Sequence, residues 1–140
     1  LDHSPISVEK SKATNAQAVA DGRCQVVEGD VAALPYDNAT INVATAFETI
    51  YFWPDVAAGL SEILRVLTPG GLFMVCNETD GSGMDQLRWS DLSQAADLLT
   101  IYSEQQLRDF FTNAGFVNIQ VCCHPKEDWI VMFGQKPVVK

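Results

Sequence analysis

Carboxylates stand just beyond the ends of apolar runs in this chain: Glu48 follows Ile41 to Phe47, and Glu78 and Asp80 follow Leu72 to Asn77. A phenol, Tyr51, comes three residues after Glu48. Any of these four side chains could take a proton from a reacting group placed beside it, although loop or pocket-wall duty competes with that role and none is singled out as a catalytic base. The run Tyr51-Phe52-Trp53 offers aromatic faces, which wall a pocket and attract cations. Farther upstream, Asp2 precedes Ser4-Pro5, and Asp30 lies in Gly29-Asp30-Val31 after the run Cys24 to Glu28. Such carboxylates can accept hydrogen bonds from a ligand, while helix capping competes at Asp2 and turn formation at Asp30. His124 reads as a surface imidazole. Cys24, Cys76, Cys122 and Cys123 contain no C-x-x-C and read as reduced, with no metal site.

These groups gather only if the apolar runs are strands that end along one edge. Leu60, Ile63, Leu64 and Leu67 recur at helical spacing, so 56–67 is expected to be a helix capped by Asp55. Pro69-Gly70-Gly71 then predicts a tight turn into a buried strand over 72–77. With the strand over 41–47 this makes a β-α-β unit, and the unalternating apolar run at 41–47 is expected to be covered on both faces. Ser4-Pro5 predicts a helix running to Val19, closed by Asp21-Gly22, and Cys24 to Glu28 predicts a short strand. Gly81-Ser82-Gly83 predicts a loop, and Met84 to Leu99 reads as mostly helical. Ser103-x-x-Gln106 is a capping box, Tyr102 and Leu107 have staple spacing, and Leu107, Phe110, Phe111 and Ala114 form a buried stripe ended by Gly115. Strands over 117–123 and 129–135, joined by a short connection, must form an antiparallel hairpin.

The composition bounds the partners. In 140 residues the net charge is -9, 47% are hydrophobic and no Lys/Arg cluster occurs, which argues against nucleic acid or an anionic membrane surface as substrate. No apolar run approaches the ~20 residues of a membrane-spanning helix, and the first residues lack the pattern of a signal peptide; a cytoplasmic location is expected.

Gly29-Asp30-Val31, Leu34-Pro35, the strand at 41–47 and the block Leu-x-Glu-Ile-Leu-Arg-Val-Leu-Thr-Pro-Gly-Gly at 60–71 together resemble the class I S-adenosylmethionine (SAM)-dependent methyltransferases. The resemblance implies a Rossmann-like α/β sheet, mostly parallel with a C-terminal antiparallel hairpin, as a single partial domain over residues 1–140. It also implies that the first strand and helix of that fold are lacking, together with the G-x-G-x-G loop that cradles the methionine part of SAM. Asp2 then matches the ribose ligand, Asp30 the partner of the adenine amino group and Val31 a backbone contact to the ring. Ala46 and Phe47 match the lining of the methionine part. Tyr51, Trp53 and Glu78, with the 78–91 region, are expected on the side of a small-molecule methyl acceptor. Asn42 stands where the family often has an acid.

A sheet without its first strand leaves the 41–47 edge unpaired, so that edge is expected either to pair with a second copy, giving a homodimer, or to be covered by a rearranged N-terminal segment. The rival readings are a nicotinamide-dependent Rossmann oxidoreductase, which the Pro-Gly-Gly turn and antiparallel end disfavour, and an inactive core fragment or non-catalytic interaction module.

Overall fold

The computed structural model describes residues 1–81, 99–124 and 128–138. The helix expected over 84–99 falls almost wholly outside these residues, as do most of the expected 78–91 acceptor region and the centre of the hairpin connection. Helix α1 (Pro5–Thr14) begins where Ser4 Oγ accepts the Ser7 N–H at 3.3 Å, with proline in the first turn. The single helix expected to Val19 is instead two, because Asn15 turns its side chain back onto the Ser11 carbonyl at 2.9 Å. Helix α2 (Ala16–Ala20) follows.

Cys24 to Glu28 does not form the expected strand. An isolated parallel bridge joins Asp2 to Glu28, with Asp2 N–H on the Val27 carbonyl at 3.1 Å and Gly29 N–H on the Asp2 carbonyl at 3.0 Å. An apolar run becomes a strand only where a partner lies alongside it, and here the partner is one residue long.

Strands β1 (Ile41–Phe47), β2 (Leu67–Asn77), β3 (Val117–Cys123) and β4 (Ile130–Gln135) form one sheet in the order β1-β2-β4-β3. The β1–β2 pair is parallel and the other two pairs are antiparallel. The short 3-10 turn Ile50–Phe52 and helix α3 (Val56–Val66) connect β1 to β2, and helix α4 (Glu104–Ala114) precedes β3. Asp55 Oδ1 caps α3 through the Ala58 N–H at 2.9 Å, the capping box at Ser103 and Gln106 opens α4, and Gly115 at φ 99 closes it.

Pro69-Gly70-Gly71 is not the turn its composition suggests. The helix ends at Leu67, which is already extended, and β2 runs from there. Thr68 to Gly71 form a bulge between the ladder pairs Ile41–Leu67 and Val43–Leu72. Gly70 takes φ 81, and a Cβ on Gly71 would meet the Thr68 and Asn42 carbonyl oxygens at 2.9 and 3.0 Å. Lys136 locks the bulge: its N–H donates to the Gly71 carbonyl, and its ammonium donates to the carbonyls of Leu67 at 2.7 Å and Arg65 at 3.2 Å.

The core lies on one face of the sheet. Leu60, Leu67, Phe73, Val75, Leu107, Phe111 and Met132 are buried there, and Phe73 stacks on Phe111 at 5.3 Å. The opposite face is open, contrary to the expectation of two covered faces. Val43 and Phe47 are 58% and 57% exposed, and α1 and α2 bury Val8 alone. No N-terminal strand pairs with the free edge of β1 among the described residues.

Candidate functional site

The C-terminal ends of the parallel pair β1–β2 bring the acids together. Glu48, at φ 54, prolongs the ladder by one bond, its N–H on the Cys76 carbonyl at 3.0 Å. The Ile50–Phe52 turn then folds Tyr51 back over the end of β2. The Tyr51 hydroxyl accepts the Thr79 N–H at 3.3 Å and lies 3.4 Å from the Thr79 carbonyl. The Glu48 carboxylate accepts hydrogen bonds from the Glu78 N–H and the Tyr51 hydroxyl. Glu48, Tyr51 and Glu78 therefore form one cluster, with Glu78 on its solvent side.

The electrostatics of the cluster are one-sided. Burial, followed by the Glu78 charge, pushes the Glu48 carboxyl above the usual carboxylate range. Burial also raises the Tyr51 phenol well above its ordinary value, and burial with the Glu48 charge raises the Cys76 thiol. The last residue of β2 is a polar group that the sequence alone did not single out. Asn77 is 0% exposed, and among the described residues neither its Oδ1 nor its Nδ2 has a hydrogen-bond partner. A polar residue closing an apolar strand was the available signal.

A second group of expected site residues lies around the Asp2–Glu28 bridge. Asp2 Oδ1 accepts the Ser4 N–H at 2.8 Å, and Asp30 Oδ1 accepts the Ala32 N–H at 2.8 Å. In each case one carboxylate oxygen is committed to the local turn. Val31 and Trp53 meet over α3: a Cβ on Gly59 would lie 2.9 Å from Trp53 and 3.3 Å from Val31. Trp53 in turn stacks on Phe73 at 6.5 Å. Gly59 was not picked out from sequence, because only the packing shows why it lacks a side chain.

The segment carrying Val31 is fastened to α3 by Arg65, which donates to the carbonyls of Leu34 and Tyr36 and to Asn38 Oδ1. Glu62 accepts the Leu34 N–H at 2.9 Å. Ala46 is buried and Phe47 exposed at the end of β1. The structure thus joins Val31 to Trp53, and Glu48 to Tyr51 and Glu78. Asp2 and Asp30 sit at the ends of neighbouring segments. A shallow hollow lined by Leu72, Ile119, Phe133 and Gln135 lies at the other end of β2 and presents no titratable side chain.

Among the described residues no group of His, Cys, Asp and Glu is arranged to hold a metal ion, and no helix is long and apolar enough to cross a membrane. The free cysteines differ in setting: Cys76 is buried, whereas Cys122 and Cys123 are exposed on β3.

Residues 1–75 match the family described as a methyltransferase domain. The chain is 28% identical over 121 residues to 2-methyl-6-phytyl-1,4-hydroquinone methyltransferase 1 of Oryza sativa, covering 86% of this chain and 34% of that protein. It is 34% identical over 67 residues to 24-methylenesterol C-methyltransferase 2 of the same species, covering 48% of this chain and 18% of that protein. It spans about a third of the length of the first of these relatives. Its fold superposes on geranyl diphosphate methyltransferase solved in complex with SAM, with a TM-score of 0.80 at 11% identity, covering 96% of this chain and 66% of the other.

Proposed function

Since the chain belongs to the methyltransferase domain family, we propose that it binds S-adenosylmethionine and supports methyl transfer to a small molecule. The observation that carries this reading is the pairing of Asp2 with Glu28. It sets two carboxylates, Asp2 and Asp30, at adjacent segment ends, each with an oxygen outside its local hydrogen bond. That donor set fits the nucleoside half of SAM. Asp2 would accept from the ribose hydroxyls and Asp30 from the adenine amino group. Val31 would meet the ring through its backbone, with its side chain held against Gly59 and Trp53. Ala46 and Phe47 would line the methionine part, and Tyr51, Trp53 and Glu78 the acceptor.

When bound, SAM supplies a methyl group already activated as a sulfonium, so the work left to this chain is orientation and exclusion of water. Trp53 and Tyr51 suit the second task, being held by stacking on Phe73 and by hydrogen bonds to Thr79. A small-molecule acceptor is favoured over nucleic acid because the chain carries a net charge of -9 with no cluster of basic residues. No G-x-G-x-G occurs in this sequence, and weak SAM affinity in the chain alone follows. The free edge of β1 is further proposed to pair with a second copy.

Calorimetric titration with SAM, and with NAD as the control, tests the reading. SAM should bind and NAD should not, and Asp2→Ala or Asp30→Ala should each weaken binding by about 1 to 3 kcal/mol. Unchanged affinity in both variants would overturn the assignment.

A further inference from the structure

The stretch from Asp30 to Asn38 is irregular, and among the described residues no strand lies beside it to take its backbone groups. Its hydrogen bonds to the helices and strands described all end on two side chains of α3. The Arg65 guanidinium has five N–H donors, and each finds an acceptor. Nε and one Nη2 N–H go to the Glu62 carboxylate, and the other Nη2 N–H goes to the Leu34 carbonyl at 3.0 Å. The two Nη1 N–H groups go to the Tyr36 carbonyl and to Asn38 Oδ1, both at 2.8 Å. Glu62 completes the frame by accepting the Leu34 N–H at 2.9 Å.

The frame bears on the residues assigned to the nucleoside. Asp30 and Leu34 are joined by a stiff turn, in which Asp30 Oδ1 accepts the Ala32 N–H at 2.8 Å and the Asp30 carbonyl accepts the Ala33 N–H at 3.1 Å. Pro35 comes back toward Gly29, where a Cβ would lie 3.9 Å from its ring and 3.0 Å from Leu1. Gly29 in turn donates to the Asp2 carbonyl. The corner at Asp30 and Val31 is therefore held from both sides, by the Asp2 bridge before it and by Arg65 and Glu62 after it.

An irregular segment with no strand partner is ordinarily mobile, and a ligand that needs it ordered loses affinity to the ordering. Arg65 and Glu62 order this one in advance, and they do so mainly through its main-chain atoms. We propose that Arg65 and Glu62 are positioning residues for the nucleoside end of SAM, acting through Leu34 to hold Asp30 and Val31 ready for a purine without touching it themselves. The proposal rests on the reading of Asp30 and Val31 as adenine contacts. It goes beyond that reading in making affinity depend on two side chains of α3 that face the loop. Such coupling is reciprocal: loss of the frame weakens the ligand, and the ligand restores the order of a loosened loop.

The test is calorimetric titration of this chain with adenosine and with SAM, beside hydrogen exchange at the Leu34 amide. Arg65→Lys keeps the charge and loses the fork, and should weaken both ligands about tenfold. Glu62→Gln keeps the shape of its side chain, should act in the same direction, and reports if Arg65→Lys folds poorly. In an Asp30→Ala background Arg65→Lys should cost only about threefold, since one group it positions is gone, whereas in an Asp2→Ala background its full effect should remain. Saturating adenosine should restore slow exchange of the Leu34 amide in Arg65→Lys. Ser103→Ala removes the cap of α4 and lowers stability away from this segment, and should leave both affinities unchanged.

Adenosine and SAM bound as well by both α3 variants as by the unaltered chain would overturn the proposal and leave the methyltransferase reading standing. So would a loss in Arg65→Lys that is the same with and without Asp30, or one that Ser103→Ala reproduces. Failure of the unaltered chain to bind either ligand would overturn that reading and the proposal with it.

Discussion

Arg65 grips Glu62 in a two-pronged ion pair, Nε to Oε1 at 2.7 Å and Nη2 to Oε2 at 2.8 Å, and the same two residues hold the Leu34–Asn38 segment against α3. The Arg65 guanidinium keeps the Glu62 carboxyl below its ordinary 4.5. A carboxylate depressed in the folded state contributes stability above its unfolded pKa and loses that contribution as pH falls through the folded value. Acidification from the ordinary carboxylate range downward, through the depressed folded value, should therefore release this segment. The protection of the Leu34 amide against hydrogen exchange should drop over that window, and Glu62→Gln should show the low-protection behaviour throughout. Arg65→Lys should resemble it, because an ammonium cannot reproduce the fork.

Gly59→Ala should destabilise the chain by about 1 to 3 kcal/mol, since the added methyl has to displace the Trp53 ring or the Val31 side chain. The urea midpoint would fall, and the Trp53 fluorescence would change with it. A neutral result would mean that the α3 contact with Val31 and Trp53 is looser than the distances imply.

Asn77→Leu should raise stability, by about 1 kcal/mol or more, because it replaces an unpartnered buried amide with a hydrocarbon of similar size. Urea denaturation of the variant beside the unaltered chain reads the difference, and an unchanged or lower midpoint would mean that the amide is satisfied in solution.

Pairing through the edge of β1 predicts that light scattering finds a dimer, and that Val43→Lys with Phe47→Lys returns it to a monomer. A monomer for the unaltered chain at all concentrations would remove that proposal.

The β-α-β unit, α4 and the terminal hairpin were legible because each is written in local chemistry: helical spacing at Leu60 to Leu67, a capping box at Ser103, and a connection too short for a parallel return. What failed was whatever depended on a partner distant in sequence. Cys24 to Glu28 has strand composition, yet Asp2 alone lies beside it. Pro69-Gly70-Gly71 has turn composition, yet Lys136 and Asn42 make it a bulge. Cover on β1 was inferred from a lack of alternation, which an uncovered strand can share. In the site, Glu48, Tyr51 and Glu78 were legible as acids and a phenol following strands. Asn77 was legible only as a polar residue closing an apolar strand, because its unpaired amide is a property of its surroundings and not of its residue type.

The strand order β1-β2-β4-β3 puts β4, the latest in sequence of the described strands, in the middle of the sheet. β4 is hydrogen-bonded to β2 on one side and β3 on the other, and among the described residues β3 has no other neighbour. During synthesis, everything through Cys123 can leave the ribosome with two edges waiting and nothing to join them. α3 and its two strands can form early from nearby contacts, but β2 cannot be closed until Ile130 to Gln135 emerge, bringing β3 with them as a ready hairpin. Until then Phe73, Met74 and Val75 lie beside an open edge, the kind of exposed strand that favours aggregation.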